Sequence, residues 1–515
     1  MQNGWKTMAR RVGAAMAMLS LTLLLCSYSY PFASYSVTDD NEVMLAPEAV
    51  RFQRTLTGLN LGAGAFNTPM CIRSSSTGEV YIADTGNSRV LVMDKNDTVR
   101  LVLQEFQRTD GTQDRLKEPE GLFITSTGEL YVADTGNNRV LVFGTDGTFK
   151  KEMPQPKSDS LPAGFVYIPK ALALDKAGRM YVVAQNVNSG LMEFDESGTF
   201  RGYMGANRVS VDFLKVLLKR FSTKEQIERL SQTVPTEYNN ITVDSEGFVY
   251  VTTSALPDQS ISRAIAGRSQ DERNAPIRKL NASGADVLQR AGSFPPVGDT
   301  AYDYYTVNYT QPSGPSKLLD ITVDEAFSYT VLDGKRGHLF TYDSRGNLLY
   351  EFGGMSETNA GFRSPVSLTQ VDDVYYILDS GRNCIVKYKE TAYGAMISQA
   401  TADYAAGRYE QARSGWEQVL LQNSSCEIAY NGLGLVKYRE KDYQSAMEYF
   451  KRGRNRSAYS KSYEQYRTQK LTEHFGWIAG IGGGILGVGL GIVWLRRSRR
   501  FWKRLVETYQ GRSDL

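Results

Sequence analysis

The sequence predicts a mainly β protein, in which a six-bladed β-propeller is followed by helical repeats and one transmembrane helix. Three observations predict this order. The phrase VYIADTGNSRVLVMD at residues 80–94 returns as LYVADTGNNRVLVFG at 130–144, aromatic and small residues recur 34 positions apart after residue 400, and residues 475–495 carry no charge. With 515 residues and 41% hydrophobic content, the chain is long enough for two or more folded units.

The first residues have the pattern of a secretory signal. Lys6, Arg10 and Arg11 precede an apolar run over residues 12–25. Because this run is short for a membrane span, residues 1–33 are predicted to be a signal sequence or an N-terminal anchor. The sequence does not decide whether this segment is cleaved from the mature protein.

Six related segments follow within residues 44–390. Each contains an apolar strand, a turn, a second strand, a tight turn and a third strand, and a less regular outer strand completes the sheet. The segments are 70–97, 120–147, 170–198, 239–255, 319–346 and 366–390. One such sheet cannot bury both of its faces, whereas six sheets in a ring can. Residues 44–66 are expected to supply the strand that closes the ring onto blade six.

The repeated phrase also carries a family resemblance. The start at residues 119–122, the acidic-glycine turn and YVADTGNNRV are similar to NHL repeats, most clearly in the first two copies. The third copy has Gln185 in place of the aspartate, and the fourth has lost the turn motif. A motif that shapes a blade must occur once in every blade, whereas catalytic residues are seldom duplicated in tandem. The motif is therefore predicted to be structural.

Each residue type in the motif has an expected role. The glycines are expected to permit a turn with positive φ, and Asp84 and Asp134 to accept turn amide hydrogens. Arg89 and Arg139 are expected to pair across to neighbouring strands.

Two insertions interrupt the even spacing of the blades. Residues 209–232 have apolar positions at helical spacing and a capping box, Ser222 to Glu225, which predicts a helical hairpin. The second lies in and around residues 254–315 and contains a loop with Tyr302, Tyr304, Tyr305 and Tyr309. Flat aromatic rings suit sugar rings, which makes the loop a candidate glycan-binding surface. Packing of these tyrosines against the blade is the alternative, and the composition favours it.

Propellers of this type gather ligands at a central channel, lined by the starts of the innermost strands. Alignment of the copies places at its mouth Met70, Glu120, Lys170, Asn239, Leu319 and Val366. One position deeper lie Cys71, Gly121, Ala171, Asn240, Asp320 and Ser367. These positions combine apolar, polar and charged residues without a regular pattern. Glu120 and Lys170 are the candidates for ligand binding.

The sequence predicts no enzyme, no cofactor and no metal. The chain has only two histidines, His338 and His474, which excludes the histidine-rich zinc site of NHL-like lyases and a Ser-His-Asp set. Lactonases of similar shape hold a divalent ion with carboxylate and amide oxygens. Glu120, Asn240 and Asp320 are the alternative metal site on that resemblance, although isolated polar residues at a solvated channel mouth explain them as well.

The exported part of the chain contains Cys71, Cys384 and Cys426, too few for a disulfide framework. Cys71 and Cys384 come from blades that become neighbours once the ring closes. A bond between them stays open, because sequence does not give their Cα separation.

A second period begins after the propeller. Four residues recur at a spacing of 34, and the pairs are Tyr404 and Tyr438, Tyr409 and Tyr443, Ala412 and Ala446, and Trp416 and Phe450. Together with Gly434, they resemble a tetratricopeptide pair. Residues 393–474 are predicted to form such helical repeats, and residues 457–474 to cap them as a helix that runs on into the membrane.

Residues 475–495 are predicted to span a membrane, because 21 uncharged residues reach about 30 Å at 1.5 Å per residue. The sequence RRSRRFWKR follows, which places the tail 496–515 in the cytoplasm and the bulk of the chain outside the cell. Five glycines suit close contact with another membrane helix, although glycine is also simply tolerated in such spans. They are Gly476, Gly480, Gly484, Gly487 and Gly491.

Charge and topology together favour one class of function. Removing the +5 of residues 496–515 and the +3 of residues 1–11 from the net charge of +3 leaves −5, which disfavours nucleic acid as a partner. The sequence predicts a non-catalytic, membrane-anchored extracellular recognition or scaffold protein for a protein or glycan partner. Resemblance to accessory proteins of bacterial envelopes implies ABC transporter permeases of carbohydrate uptake as partners. A metal-dependent, lactonase-like hydrolase is the alternative.

Overall fold

A computed structural model describes residues 35–37, 43–153, 155–158, 161, 164–187, 189–205, 238–254, 256–258, 261, 275–290, 296–299 and 314–510. The predicted signal sequence, the helical hairpin at 209–232 and the four loop tyrosines lie outside these residues. The chain divides into two compact units, residues 1–429 and 430–515.

The first unit contains the propeller, whose early strands are β1 (Tyr35–Val37), β2 (Val43–Leu45) and β3 (Val50–Thr57). Blade one consists of β4 (Cys71–Ser74), β5 (Val80–Asp84), β6 (Arg89–Met93) and β7 (Val99–Leu103). A hairpin of β8 (Glu105–Gln107) and β9 (Gln113–Arg115) leads to the next blade. Blade two consists of β10 (Gly121–Ile124), β11 (Leu130–Asp134), β12 (Arg139–Phe143) and β13 (Phe149–Met153).

The next three blades repeat this antiparallel order. Blade three consists of β14 (Pro169–Leu174), β15 (Met180–Ala184), β16 (Leu191–Phe194) and β17 (Phe200–Met204). Blade four shows three strands within the described residues, β18 (Asn240–Val243), β19 (Val249–Thr252) and β20 (Ile277–Leu280). Blade five consists of β21 (Leu318–Val323), β22 (Tyr329–Asp333), β23 (His338–Tyr342) and β24 (Leu348–Gly353).

Blade six joins the two ends of the propeller sequence. It consists of β25 (Pro365–Val371), β26 (Val374–Asp379), β27 (Cys384–Glu390) and the early strand β3. Strands β27 and β3 run antiparallel, with Glu390 opposite Val50 and Cys384 opposite Thr57. The innermost strands contact one another in the order β4, β10, β14, β18, β21, β25 and back to β4. The six-bladed ring and its closing strand, both predicted from the sequence, are confirmed.

The core lies between the blades. The second strands β5, β11, β15 and β22 are buried at every position, because a neighbouring blade covers each of their faces. One apolar cluster joins blades one and two through residues such as Tyr81, Leu122 and Phe143. Another joins blades two and three through Tyr131 and Leu172. The ring therefore buries the second face that an isolated four-stranded sheet would expose.

Five helices are described after the propeller. Their bounds are α1 (Ala392–Ala405), α2 (Tyr409–Gln422), α3 (Glu427–Arg439), α4 (Tyr443–Arg452) and α5 (Arg456–Gln510). The tyrosine pair of the 34-residue period recurs as a ring contact, 5.5 Å between centroids for Tyr404 and Tyr409 and 5.4 Å for Tyr438 and Tyr443. The helical segment is thus present, and its assignment to the tetratricopeptide class stays a prediction.

Helix α1 is fixed to the propeller at its first turn. The hydroxyl of Thr391 accepts a hydrogen bond from the Gly394 amide and donates one to the Glu48 carbonyl at 2.6 Å. The Thr391 amide donates to the Ala49 carbonyl at 2.9 Å. The carbonyls of Glu48 and Ala49, just before the closing strand β3, therefore hold the first turn of α1 against blade six.

Helix α5 contains the apolar run. Its segment Ala479–Val506 is long and apolar enough to cross a membrane. The uncharged residues end at Leu495, and the cations of RRSRRFWKR follow on the same continuous helix. This agrees with the prediction of one spanning helix near the C-terminus.

Candidate functional site

The repeated Asp-Thr-Gly-Asn turn connects neighbouring parts of the ring. The Asp84 carboxylate accepts the Asn67 amide at 2.8 Å and the Arg89 side chain at 2.7 Å. The Thr85 hydroxyl donates to the Pro119 carbonyl at 2.7 Å, just before blade two. In blade two, Asp134 and Thr135 repeat these contacts with Lys117, Arg139 and Pro169. These contacts are architectural, and they include the predicted pairing of Arg89 and Arg139 to the neighbouring strand.

One expected detail of this turn is wrong. Gly86 and Gly136 do not have positive φ, which falls instead on Ser88 and Asn138 at 52° and 57°. The glycines are needed for space, because a Cβ on Gly136 would lie 2.8 Å from the Lys117 carbonyl oxygen. The aspartates accept amides from two places, the backbone amide of the preceding loop, seventeen residues earlier, and the side-chain amide of the asparagine in their own turn.

The predicted channel mouth is partly buried at all six positions, which are Met70, Glu120, Lys170, Asn239, Leu319 and Val366. The two binding candidates contact each other, since the Lys170 ammonium forms an ion pair with the Glu120 carboxylate. Their charges are therefore already paired across blades two and three.

Arg73 spans the channel and was missed by the sequence reasoning. From blade one, its guanidinium donates to the Asp320 carboxylate of blade five at 2.9 Å and to Asn240 of the opposite blade four at 2.8 Å. It also donates to Ser367 of blade six at 3.0 Å. The signal for it was a single arginine on an innermost strand, at a position where blades two and three have Phe123 and Ala173.

The electrostatics of this network favour a fixed ion pair. The Asp320 side chain is fully buried and that of Arg73 is 12% exposed. Asp320 also accepts hydrogen bonds from the Ser367 hydroxyl at 2.6 Å and the Leu368 amide at 2.9 Å. Burial disfavours charge on Arg73, but the Asp320 carboxylate outweighs it, so the pKa of the guanidinium lies above its ordinary value.

The alternative metal ligands are engaged by other groups. The Arg73 guanidinium donates hydrogen bonds to the side-chain oxygens of Asn240 and Asp320. Glu120 forms an ion pair with Lys170. A divalent ion at this place would have to displace a guanidinium from a buried carboxylate. The three oxygen donors can serve as ligands only after that rearrangement.

The three described cysteines are buried, and no disulfide joins them in the described part of the chain. Cys71 and Cys384 are therefore separate thiols across the ring closure. Burial raises the pKa of Cys71 and Cys426 and raises that of Cys384 to about 11, which keeps all three as unreactive thiols.

A second polar cluster lies on the outer strands of blade five. Nδ1 of His338, at the start of β23, is 2.7 Å from a carboxylate oxygen of Asp299 and 2.8 Å from one of Glu351 on β24. Burial opposes protonation of His338, but its hydrogen bonds to the two carboxylates outweigh this and raise its pKa to about 10. Among the residues that the structure describes, this is the group of His, Cys, Asp and Glu side chains able to hold a metal ion.

Comparisons with known proteins support the repeat class. The model of the NHL repeat matches residues 66–93 and 116–143, so the chain contains NHL repeats in its first two blades. No curated protein sequence matches the chain.

Several solved structures are similar to this chain at low sequence identity. A streptogramin B lyase has 14% identity and a TM-score of 0.39, covering 67% of this chain and 100% of its own. The virginiamycin B lyase of Staphylococcus aureus has 13% identity and a TM-score of 0.38, with 66% and 100% covered. A proposed gluconolactonase has 12% identity and a TM-score of 0.37, with 67% and 93% covered. These values carry no argument about activity.

Proposed function

We propose that this chain is a non-catalytic recognition protein, held at a membrane by helix α5 and exposing its propeller and helical repeats on the extracellular side. It binds a protein or glycan through the outer surfaces of the propeller and of the tetratricopeptide-like helices. Its place in the cell membrane rests on the apolar segment Ala479–Val506 and on the cations that follow Leu495.

The Arg73 network is the observation that carries the proposal. In a propeller enzyme, the polar groups of the channel must be available to a substrate. Here Arg73, Asp320 and Ser367 are bonded to one another across the ring. Residues used in this way stabilise the channel, and recognition is assigned to the outer surfaces.

The partner we propose is another membrane protein, with ABC-type permeases of carbohydrate uptake as the class to test first. The five glycines of the apolar segment support a helix contact, because nothing else in the described structure lies within 4 Å of where their Cβ atoms would be. The mildly acidic exported part makes nucleic acid an unfavourable partner.

Gentle detergent extraction of the tagged full chain tests this proposal. We expect a membrane protein to co-purify at a fixed ratio with the wild-type chain and to be lost from the Gly480→Leu/Gly484→Leu variant. Leucine at both positions keeps the helix apolar and blocks the close approach of a second helix. Substitution of Ile481 and Ile485 by leucine is the matched control, because it leaves the glycine positions unchanged.

Lactone hydrolysis is measured on the same preparations. The proposal predicts none above the rate without protein. Hydrolysis that requires added divalent ion and disappears in Glu120→Gln, together with no co-purifying protein, would replace the proposal with the lactonase-like alternative.

A further inference from the structure

We propose that Asp299, His338 and Glu351 form a binding site for one divalent transition-metal ion on the outer strands of blade five. This site is separate from the channel and independent of the recognition function proposed above. Histidine nitrogen with two carboxylate oxygens is a donor set that suits zinc, manganese or iron(II).

The geometry brings three potential ligands to one point. The donor atoms of the three side chains all lie within 4.8 Å of one another. Nδ1 of His338 faces two carboxylate oxygens, at 2.7 Å and 2.8 Å. A metal ion can bind all three donors at once.

Blades two and five have a basic residue at the same position, the start of the third strand, between two carboxylates. In both blades, the third strand begins with a basic residue five positions after the buried aspartate, Arg139 after Asp134 and His338 after Asp333. The strand registers also correspond, because Leu141 pairs with Glu152 and Phe340 with Glu351.

The acidic partners in blade two match those in blade five. Arg139 pairs with Asp114, from the segment before its blade, at 2.8 Å and with Glu152 at 3.2 Å. His338 pairs with Asp299, also from the segment before its blade, and with Glu351. Blade five thus keeps both carboxylates and replaces the guanidinium by an imidazole, which can ligate a metal ion once that ion has displaced its proton.

Ligation requires only a small movement. Zinc binds nitrogen and oxygen ligands at about 2.1 Å, so tetrahedral donors lie about 3.4 Å apart. The present nitrogen to oxygen distances of 2.7 Å and 2.8 Å must therefore lengthen by about 0.6 to 0.7 Å as the ion replaces the proton. Asp299 and Glu351 lie on different segments of the chain, Glu351 on β24 and Asp299 in the segment before the blade.

Arg336 is the competing cation. Its Nε lies 3.7 Å from the Asp299 carboxylate, and its Nη1 lies 3.7 Å from Asp333. Arg336 therefore adds positive charge beside the two aspartates, and a bound metal ion would share the Asp299 carboxylate with it. The metal would tie Asp299, which directly precedes the tyrosine-rich loop, to the two outer strands of blade five.

Metal binding to the full chain in detergent tests the proposal. The protein is stripped with a chelator and titrated with Co²⁺, whose visible absorption reports its coordination, and then with Zn²⁺ by calorimetry. We expect one equivalent per chain and a higher melting temperature with Zn²⁺. His338→Arg, which recreates the blade-two arrangement, should fold and bind no ion at this site, and Glu351→Gln should bind at least about tenfold more weakly.

His474→Gln is the matched control, because it removes the other histidine of the chain and should leave the affinity unchanged. Failure of the folded wild-type protein to bind either ion would overturn the proposal. Equal binding by the wild type, His338→Arg and Glu351→Gln would also overturn it, since the ion would then be held elsewhere. Neither outcome depends on finding a partner protein, so this test is distinct from that of the recognition function.

Discussion

The repeated polar residues of this protein stabilise the ring of blades by joining one blade to the next. Asp84 and Asp134 each hold an amide of the preceding loop, an asparagine and an arginine. Thr85 and Thr135 bind the carbonyl just before the next blade. A four-residue phrase therefore joins each of these blades to its neighbour, which explains why it is repeated.

Asp324 provides a prediction about pH. Burial raises the pKa of Asp324 to about 6, although amides of Ala326 and Ser328 donate to its carboxylate. The folded state then binds this proton more tightly than the unfolded state, so the associated stability is present below about pH 4 and is lost as the pH rises through 6. Asp324→Asn keeps the acceptor oxygen and should stabilise the protein at pH 8 by up to about 3 kcal/mol.

Melting temperatures at pH 5 and pH 8 check this prediction. Asp94 is the matched control, because it accepts amides two and four residues ahead in the same way but is exposed to solvent. Hydrogen bonding, chiefly from the Thr98 amide, lowers the pKa of Asp94, so Asp94→Asn should not stabilise at pH 8. An Asp324→Asn variant with an unchanged pH profile would contradict the assignment.

Sequence reasoning succeeded where a residue type repeats and failed where one residue acts across the ring. The structural role of Asp84 and its copies followed from their periodicity. Arg73 occurs once, and its partners Asn240 and Asp320 lie 167 and 247 positions away, so no local pattern reveals the contact. The cluster around His338 was hidden for the same reason, since Asp299 is 39 residues earlier.

At the scale of elements, the junction between propeller and helices is direct. Strand β27 ends at Glu390 and α1 begins at Ala392. The Tyr350 hydroxyl on β24 donates to Glu390 at 2.9 Å, and the Ser398 hydroxyl on α1 donates to the same carboxylate at 3.1 Å. Helix α1 is thus part of the fold of the first unit.

Gly394 tests this docking. A Cβ on Gly394 would lie 2.1 Å from the Ala49 carbonyl oxygen, so Gly394→Ala must move the helix away from the strand. Alanine would stabilise an isolated helix by about 1 kcal/mol, but here we expect a net loss of about 1 to 3 kcal/mol. Thermal unfolding of the full chain measures the change.

Gly482→Ala is the control for that substitution. It also lies in a helix, but nothing else in the described structure is within 4 Å of its Cβ position. It should leave the unfolding temperature of the propeller unchanged. Equal stability of Gly394→Ala and wild type would show that α1 does not depend on this close contact.

Periodicity predicted the elements best where the copies are regular. Blades one and two have the full motif and four strands each, whereas blade four has lost the motif and shows three strands in the described residues. An isolated bridge between Leu280 and Asp286 stands beside its third strand. Insertions interrupt the pattern there, so the sequence could place the blade but not its outer edge.

At the scale of the whole molecule, one ion cluster holds the two ends of the ring together. The Lys387 ammonium on β27 lies 2.8 Å from the Asp97 carboxylate of blade one, and both side chains are almost fully buried. Arg54 on the closing strand β3 also pairs with Asp97. Blades six and one are therefore joined by charge as well as by their innermost strands.

Asp97→Ala should destabilise the ring by about 3 kcal/mol, because it leaves the buried Lys387 without this carboxylate. Lys95→Ala is the matched control at the same boundary. Its ion pair with Asp372 is solvent-exposed on both sides and is worth less than about 1 kcal/mol. Denaturant unfolding compares the two variants, and equal midpoints would refute a role for the buried cluster in closure.

The melting temperature of Arg73→Met tests most directly the claim that the channel network supports the ring. The variant leaves the buried Asp320 carboxylate without its cation and should lose about 3 to 5 kcal/mol of stability. Adding Asp320→Asn removes the buried charge and should restore most of the lost stability. A wild-type melting temperature for Arg73→Met, or a hydrolytic activity that disappears with it, would contradict the claim.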